Sequence, residues 1–151
     1  MSFSGQRSER NAKTTGVKVE ESDLLYKSAT GDTYLKWYLN LKRSLPSHSS
    51  RHVQEHGMEV IEDTAAWDER FARRLQIAKD ENNDFEKKAL YEQKLARESA
   101  ARTIFHLVPS KLSDEVKDLV EMSEEFKILS LQERMNVHAL LQLVKKKVSV
   151  G

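Results

Sequence analysis

His52-Val53-Gln54-Glu55-His56 is the one stretch whose residue types and spacing suit bond-breaking chemistry. On a helix, positions four apart share a face, so His52 and His56 present two imidazoles side by side with Glu55 next to them as a general base. Two imidazoles leave a zinc ion short of a third protein ligand. The chain has no cysteine, which removes disulfides, thiolate metal sites and thiol nucleophiles together. His48, His106 and His138 have no carboxylate and nucleophile arranged near them in sequence. Neither a glycine-rich phosphate loop nor a G-x-S-x-G elbow occurs.

The H-x-x-E-H order resembles the inverted zinc peptidases of the insulin-degrading and mitochondrial-processing family, in which a later glutamate completes the metal site. On that resemblance the set is His52, His56 and Glu133. The likeness covers five contiguous residues and stops. Those enzymes are large α+β proteins whose motif helix packs on a sheet, and no segment here alternates as a strand does. Glu133 also has a simpler reading, since Ser130-Leu131-Gln132-Glu133 forms a capping box at a helix start. A zinc peptidase therefore stays a remote alternative. No catalytic residue, metal, cofactor or small-molecule substrate is expected.

The elements that position these residues read as helices throughout. Apolar residues make up 38% of the 151 and charged residues 32%, with five Gly and two Pro. That balance suits elongated helices with a thin apolar seam, in an all-α bundle or coiled-coil-like assembly of about five helices. The 25 basic and 24 acidic residues nearly cancel, so no global field draws the protein to nucleic acid or anionic lipid. No apolar run reaches the roughly 18 residues of a membrane span. The start, Met1-Ser2-Phe3-Ser4, lacks the apolar core of a secretion signal, so a cytoplasmic or nuclear location is expected.

Residues 1–22 have no apolar periodicity and read as a disordered arm, leaving 23–151 as one helical domain. Helices are expected at about 32–45, 52–62, 113–128 and 130–148, with a long element over 63–108. Trp67, Phe71, Leu75 and Ala78 share one face of that element; Phe85, Ala89, Leu90, Ala96, Ala100, Ile104 and Val108 resume it after Asn82-Asn83. It reads as one rod or as a hairpin folded about that pair. Glu69 with Arg73, Asp84 with Lys88, and Glu98 with Arg102 are oppositely charged pairs four apart.

Two groups of large apolar residues are candidate contacts for a protein partner or a second copy. One is Trp67, Phe71, Leu75 and Phe85; the other is Tyr34, Trp37 and Tyr38. Aromatic anchors dominate interfaces of this kind because each buries much area at little entropic cost. The same residues could equally fill the monomer's own core. Lys36, Trp37, Tyr38, Lys42 and Arg43 also suggest a stacking platform for single-stranded nucleic acid, a weaker reading because such platforms usually lie on sheets or loops. The preferred function is a non-catalytic helical interaction module, a small subunit or adaptor of a larger complex or a homo-oligomer.

Overall fold

Asn82 and Asn83 divide the long charged stretch, each by a different means. Asn82 takes a positive φ of 54°, left-handed backbone that asparagine tolerates better than most residues. Its N–H bonds back to the Lys79 carbonyl at 3.1 Å and that of Asn83 to the Ala78 carbonyl at 2.8 Å, the paired closure of a helix C-terminus. The Asn83 side chain then accepts the Glu86 N–H at 3.0 Å and caps the next helix. The element is a hairpin.

The computed structural model describes residues 23–62 and 65–149. The arm expected at 1–22 lies outside the described residues. Those described form seven α-helices: α1 (Gly31–Ser44), α2 (Arg51–Ile61), α3 (Ala65–Asp80), α4 (Asp84–Leu107), α5 (Asp114–Glu121), α6 (Glu124–Ser130) and α7 (Val137–Val148). Single 3-10 turns follow α1 at Leu45–Ser47 and α4 at Val108–Lys111. The architecture is an all-α, elongated bundle, with seven helices where about five are expected. Two of the extra boundaries are the asparagine turn and Ser123, whose hydroxyl accepts the Phe126 N–H at 3.2 Å and starts α6. No helix among the described residues is long and apolar enough to cross a membrane.

The capping box at Ser130 does not form. Ser130 is the last residue of α6, and its hydroxyl bonds back to the Lys127 carbonyl at 3.0 Å. The helix begins later, where the Asn136 side chain accepts the Ala139 N–H at 2.9 Å. Asparagine is as good a cap as serine, and it stands directly ahead of the apolar run that must be buried. Charge pairing shows the same local competition. Glu69 and Arg73 meet at 3.8 Å, but Asp84 turns to Lys87 at 3.0 Å and Glu98 to Arg134 at 3.9 Å.

The core lies where α1, α2, α5 and α7 close around the C-terminal part of α4. Tyr34, Trp37, Leu41 and Leu45 enter it from α1 and the turn after it, at spacings of three, four and four. Trp37 is 5% exposed and Tyr34 8%. Both find partners for their polar atoms: Trp37 Nε1 donates to the Lys111 carbonyl at 2.9 Å and Tyr34 Oη to the Leu141 carbonyl at 3.1 Å. α7 is buried on two sides, through Val137, Leu140, Leu141, Leu143, Val144 and Val148. Gly57 lies at the crossing of α2 and α4. A Cβ there would stand 3.3 Å from Leu45 Cδ1 and Val53 Cγ1 and 3.4 Å from Ile104 Cδ1.

Two outcomes follow for stability. Asn82→Val places a β-branched side chain in left-handed backbone and is expected to lower the unfolding free energy in urea by about 1–2 kcal/mol. Asn83→Ala is expected to lower it by about 1 kcal/mol through loss of the cap. Burial, and secondarily the neighbouring Tyr38, push the Tyr34 phenol above its ordinary range. The folded state therefore favours the protonated phenol. Its contribution is complete below the unfolded value of about 10 and is lost as pH rises beyond it. In an alkaline unfolding series, stability should fall above about pH 10, and Tyr34→Phe should fall less steeply than the parent.

Candidate docking site

α3 packs chiefly on α4, and none of its side chains joins the main core. What α3 carries instead is an aromatic row. Trp67 and Phe71, one turn apart, stack with centroids 5.1 Å apart and planes at 14°. Phe71 meets the edge of Tyr91 on α4 at 6.3 Å, and the Lys94 ammonium lies 5.9 Å from the Phe71 centroid. Farther along, Leu75 is half-buried, and Ala78 on α3 and Leu90 on α4 are buried outside the main core.

The far side of Trp67 holds the most unusual residue in the bundle. The Arg97 guanidinium carbon sits 4.4 Å from the Trp67 centroid, and Arg97 is 4% exposed. Its nearest carboxylate is Glu59 of α2, with Oε1 3.6 Å from Nη1. That separation makes an ion pair but no hydrogen bond, and Nη1 is buried without a hydrogen-bond partner. The same Oε1 is 3.6 Å from His56 Nδ1, which is also buried and unsatisfied. Desolvation lowers the Arg97 pKa; Glu59 and Asp68 oppose that shift, and Arg134 and Arg70 reinforce it. Arginine remains a cation at neutral pH regardless.

Arg134, on the segment leading to α7, closes the cleft from outside by bridging Asp68 at 2.5 Å and Glu98 at 3.9 Å. Behind it lies a cavity of about 30 Å³ walled by Trp67, Lys94, Arg97 and Arg134. A second cleft, of about 200 Å³ and also bordered by Trp67, opens between Glu59, Arg70, Phe71 and Leu90.

The residues expected to form contacts therefore separate into three groups. Trp67, Phe71 and Leu75 lie together on the hairpin. Tyr34 and Trp37 are buried in the monomer's core. Tyr38 is half-buried at the core's edge, beneath Lys42 at 5.5 Å, and Lys42 bonds Glu62 at 3.0 Å. Within segment 34–43, Trp37 is enclosed and Lys42 is engaged, while Lys36 and Arg43 are exposed. Phe85 is 83% exposed and stands apart from Trp67. The row Phe85–Ala89–Ala96 runs about a third of a turn from the row Leu90–Arg97–Ala101–Ile104 that α4 buries, so the expected stripe mixed two faces.

His52 is exposed, Glu55 pairs with Arg51 at 3.1 Å, and Glu133 lies on the exposed segment before α7. Among the described residues no three of His, Cys, Asp and Glu are placed to hold a metal ion. Compared with family models, curated proteins and solved structures, the protein matches none.

Arg97, Glu59, Tyr91 and Leu95 were not among the expected site residues. For Arg97 a signal exists: it is the one charged residue in the apolar row of α4. Arg97→Met tests whether that charge serves stability. Glu59 is half-exposed and can rehydrate, so the change should shift the urea unfolding free energy by less than about 1 kcal/mol or raise it. A charge kept for folding would show a loss of about 3–5 kcal/mol.

Proposed function

We propose that this protein is a non-catalytic, intracellular helical interaction module, a small subunit or adaptor that docks a protein partner through the α3–α4 hairpin. The observation that carries the reading is apolar surface on a two-helix arm. Leu95 is 65% exposed, one turn from the exposed Tyr91, which itself abuts Phe71. Phe85 projects at the turn. Single exposed apolar residues are ordinary on protein surfaces. A stripe of them along an arm that packs chiefly on itself is not, because a helix pair needs a third layer to bury its apolar residues.

A partner helix laid along Phe71, Leu75, Tyr91 and Leu95 would supply that layer in the manner of a helix in a groove. The surface charges around the stripe are mixed: Arg74 bonds Glu86 across the hairpin at 2.8 Å, and Lys87 bonds Asp84 at 3.0 Å. Rim pairs of this kind set register and orientation more than affinity.

The test compares the parent with a Phe85→Ser, Leu95→Ser variant, both changed where the monomer leaves most of the side chain exposed. Sedimentation would report self-association, and quantitative affinity capture from extract would report other partners. The variant should keep its unfolding midpoint and lose about five- to thirtyfold in association, the effect of a single anchor worth about 1–2 kcal/mol. Equal self-association and an identical captured set for both proteins would overturn the reading.

A further inference from the structure

Arg97 presents an unmet demand inside the docking region. A guanidinium has five N–H donors, and among the described residues Arg97 makes no hydrogen bond with any of them; its one ion-pair partner, Glu59, stands at 3.6 Å. Arg70 and Lys94 flank the same ring system without a carboxylate at ion-pair distance among the described residues, whereas Arg134 is already matched by Asp68 and Glu98. Around Trp67 the cations Arg97, Arg70, Lys94 and Arg134 face the acids Glu59, Asp68 and Glu98; Glu59, the ion-pair partner of Arg97, is itself divided between Arg97 and His56.

We propose that the cleft beside Trp67 receives a carboxylate of the partner protein, with Arg97 as the fixed anchor and Lys94 as the movable rim, while Arg70 borders the neighbouring cleft. The proposal rests on the docking reading above and specifies the chemistry of what docks. The carboxylate is either the partner's own C-terminus or one of its acidic side groups. Size argues for this over a larger tetrahedral anion: the space against Arg97 is about 30 Å³, enough for about two waters. Shape argues the same way. The planar guanidinium fork matches a planar carboxylate, and the Trp67 ring lies against the guanidinium carbon at 4.4 Å. The wider cleft on the Arg70 side, about 200 Å³ over Trp67, Phe71 and Leu90, suits the apolar residue next to the acid. The preferred ligand is therefore an acidic group adjoining an apolar side chain.

The two tryptophans make the test internally controlled. In the nitrogen-15-labelled full-length protein, the Trp67 indole signal reports the cleft. The Trp37 indole, bonded to the Lys111 carbonyl in the core, reports the fold. The probes are N-acetyl-leucyl-glutamate amide, its glutamine counterpart, N-acetyl-leucyl-leucine as free acid and as amide, and inorganic phosphate. The glutamate peptide or the free acid should move the Trp67 signal saturably and leave Trp37 in place, and which of them acts separates an acidic side group from a C-terminus. Neutralising the carboxylate should weaken binding at least about tenfold, the usual effect of losing a charge-assisted hydrogen bond. Arg97→Lys should weaken it as well. The surface double variant Arg70→Glu, Lys94→Glu should abolish it, with the Trp37 signal showing that the fold persists.

A saturable shift of the same strength with glutamine, or tighter binding of phosphate than of carboxylate, would overturn the proposal. So would no saturable shift with any probe, which would mean that Arg97 is satisfied by water alone. Unchanged affinity in the surface double variant would do the same. If Phe85→Ser, Leu95→Ser loses association while these peptides fail to bind, docking stands and the carboxylate site falls. If the peptides bind while association is unchanged, the site stands and the docking reading falls.

Discussion

How closely α2 can lie against α4 governs the rest of the bundle. Gly57 eases the approach, because a Cβ there would press on Leu45 and Val53 and touch Ile104 of α4, and those neighbours would have to give by a few tenths of an ångström. Ala100 and Ala101 make α4 equally narrow on its buried side. Glycine inside a helix is unfavourable by about 1 kcal/mol relative to alanine, and the burial of the aliphatic groups around it offsets that. Val53, Val60 and Ile61 are then drawn fully inside, and α7 can close over the pair. The position and tilt of α4 are set at this crossing. Since α4 continues beyond the core as half of the hairpin, the crossing also aims the docking arm.

Much of the fold was legible in the sequence because helix formation is largely local. Helical spacing placed Trp67, Phe71 and Ala78 on one face, and a final helix running to about residue 148 was readable, though not its start. Where two local signals competed, the choice depended on tertiary burial. Ser130 and Asn136 are both good caps, and the one adjoining the apolar run that the core needs became the helix start. Asn82 and Asn83 looked like an interruption; that they end one helix and begin another depends on a single left-handed residue. Gly57 lies inside a helix without a local reason for glycine, because the Ile104 side chain that would meet its Cβ at 3.4 Å belongs to α4, more than forty positions away.

The site was less legible, for a related reason. Aromatic residues at helical spacing are needed equally by a core and by an interface, and pattern alone does not separate them. Volume and hydrogen bonding decided it. Tyr34 and Trp37 could be enclosed because carbonyls of Leu141 and Lys111 lie within reach of their polar atoms, whereas Trp67 and Phe71 stack on each other at the margin of the fold. Arg97 escaped notice because long charged residues on a helix ordinarily face water. Its place in the row Leu90–Arg97–Ala101–Ile104 was visible, but only the geometry shows that the row is buried.

The strap ahead of α1 ties the beginning of the described residues to their end. Leu25 is pinned between Lys111 and Ser113 by two backbone hydrogen bonds, and the Ser28 N–H bonds the Val148 carbonyl at 3.0 Å beside a parallel bridge to Ser149. The polypeptide thus enters and leaves side by side, running in the same direction. Tension applied between these two ends would load that clasp in shear before any helix was strained. The force would pass through the strap and α7 and would not travel out along the α3–α4 hairpin. A tether, surface or neighbouring domain could pull on the module while its projecting arm kept its shape.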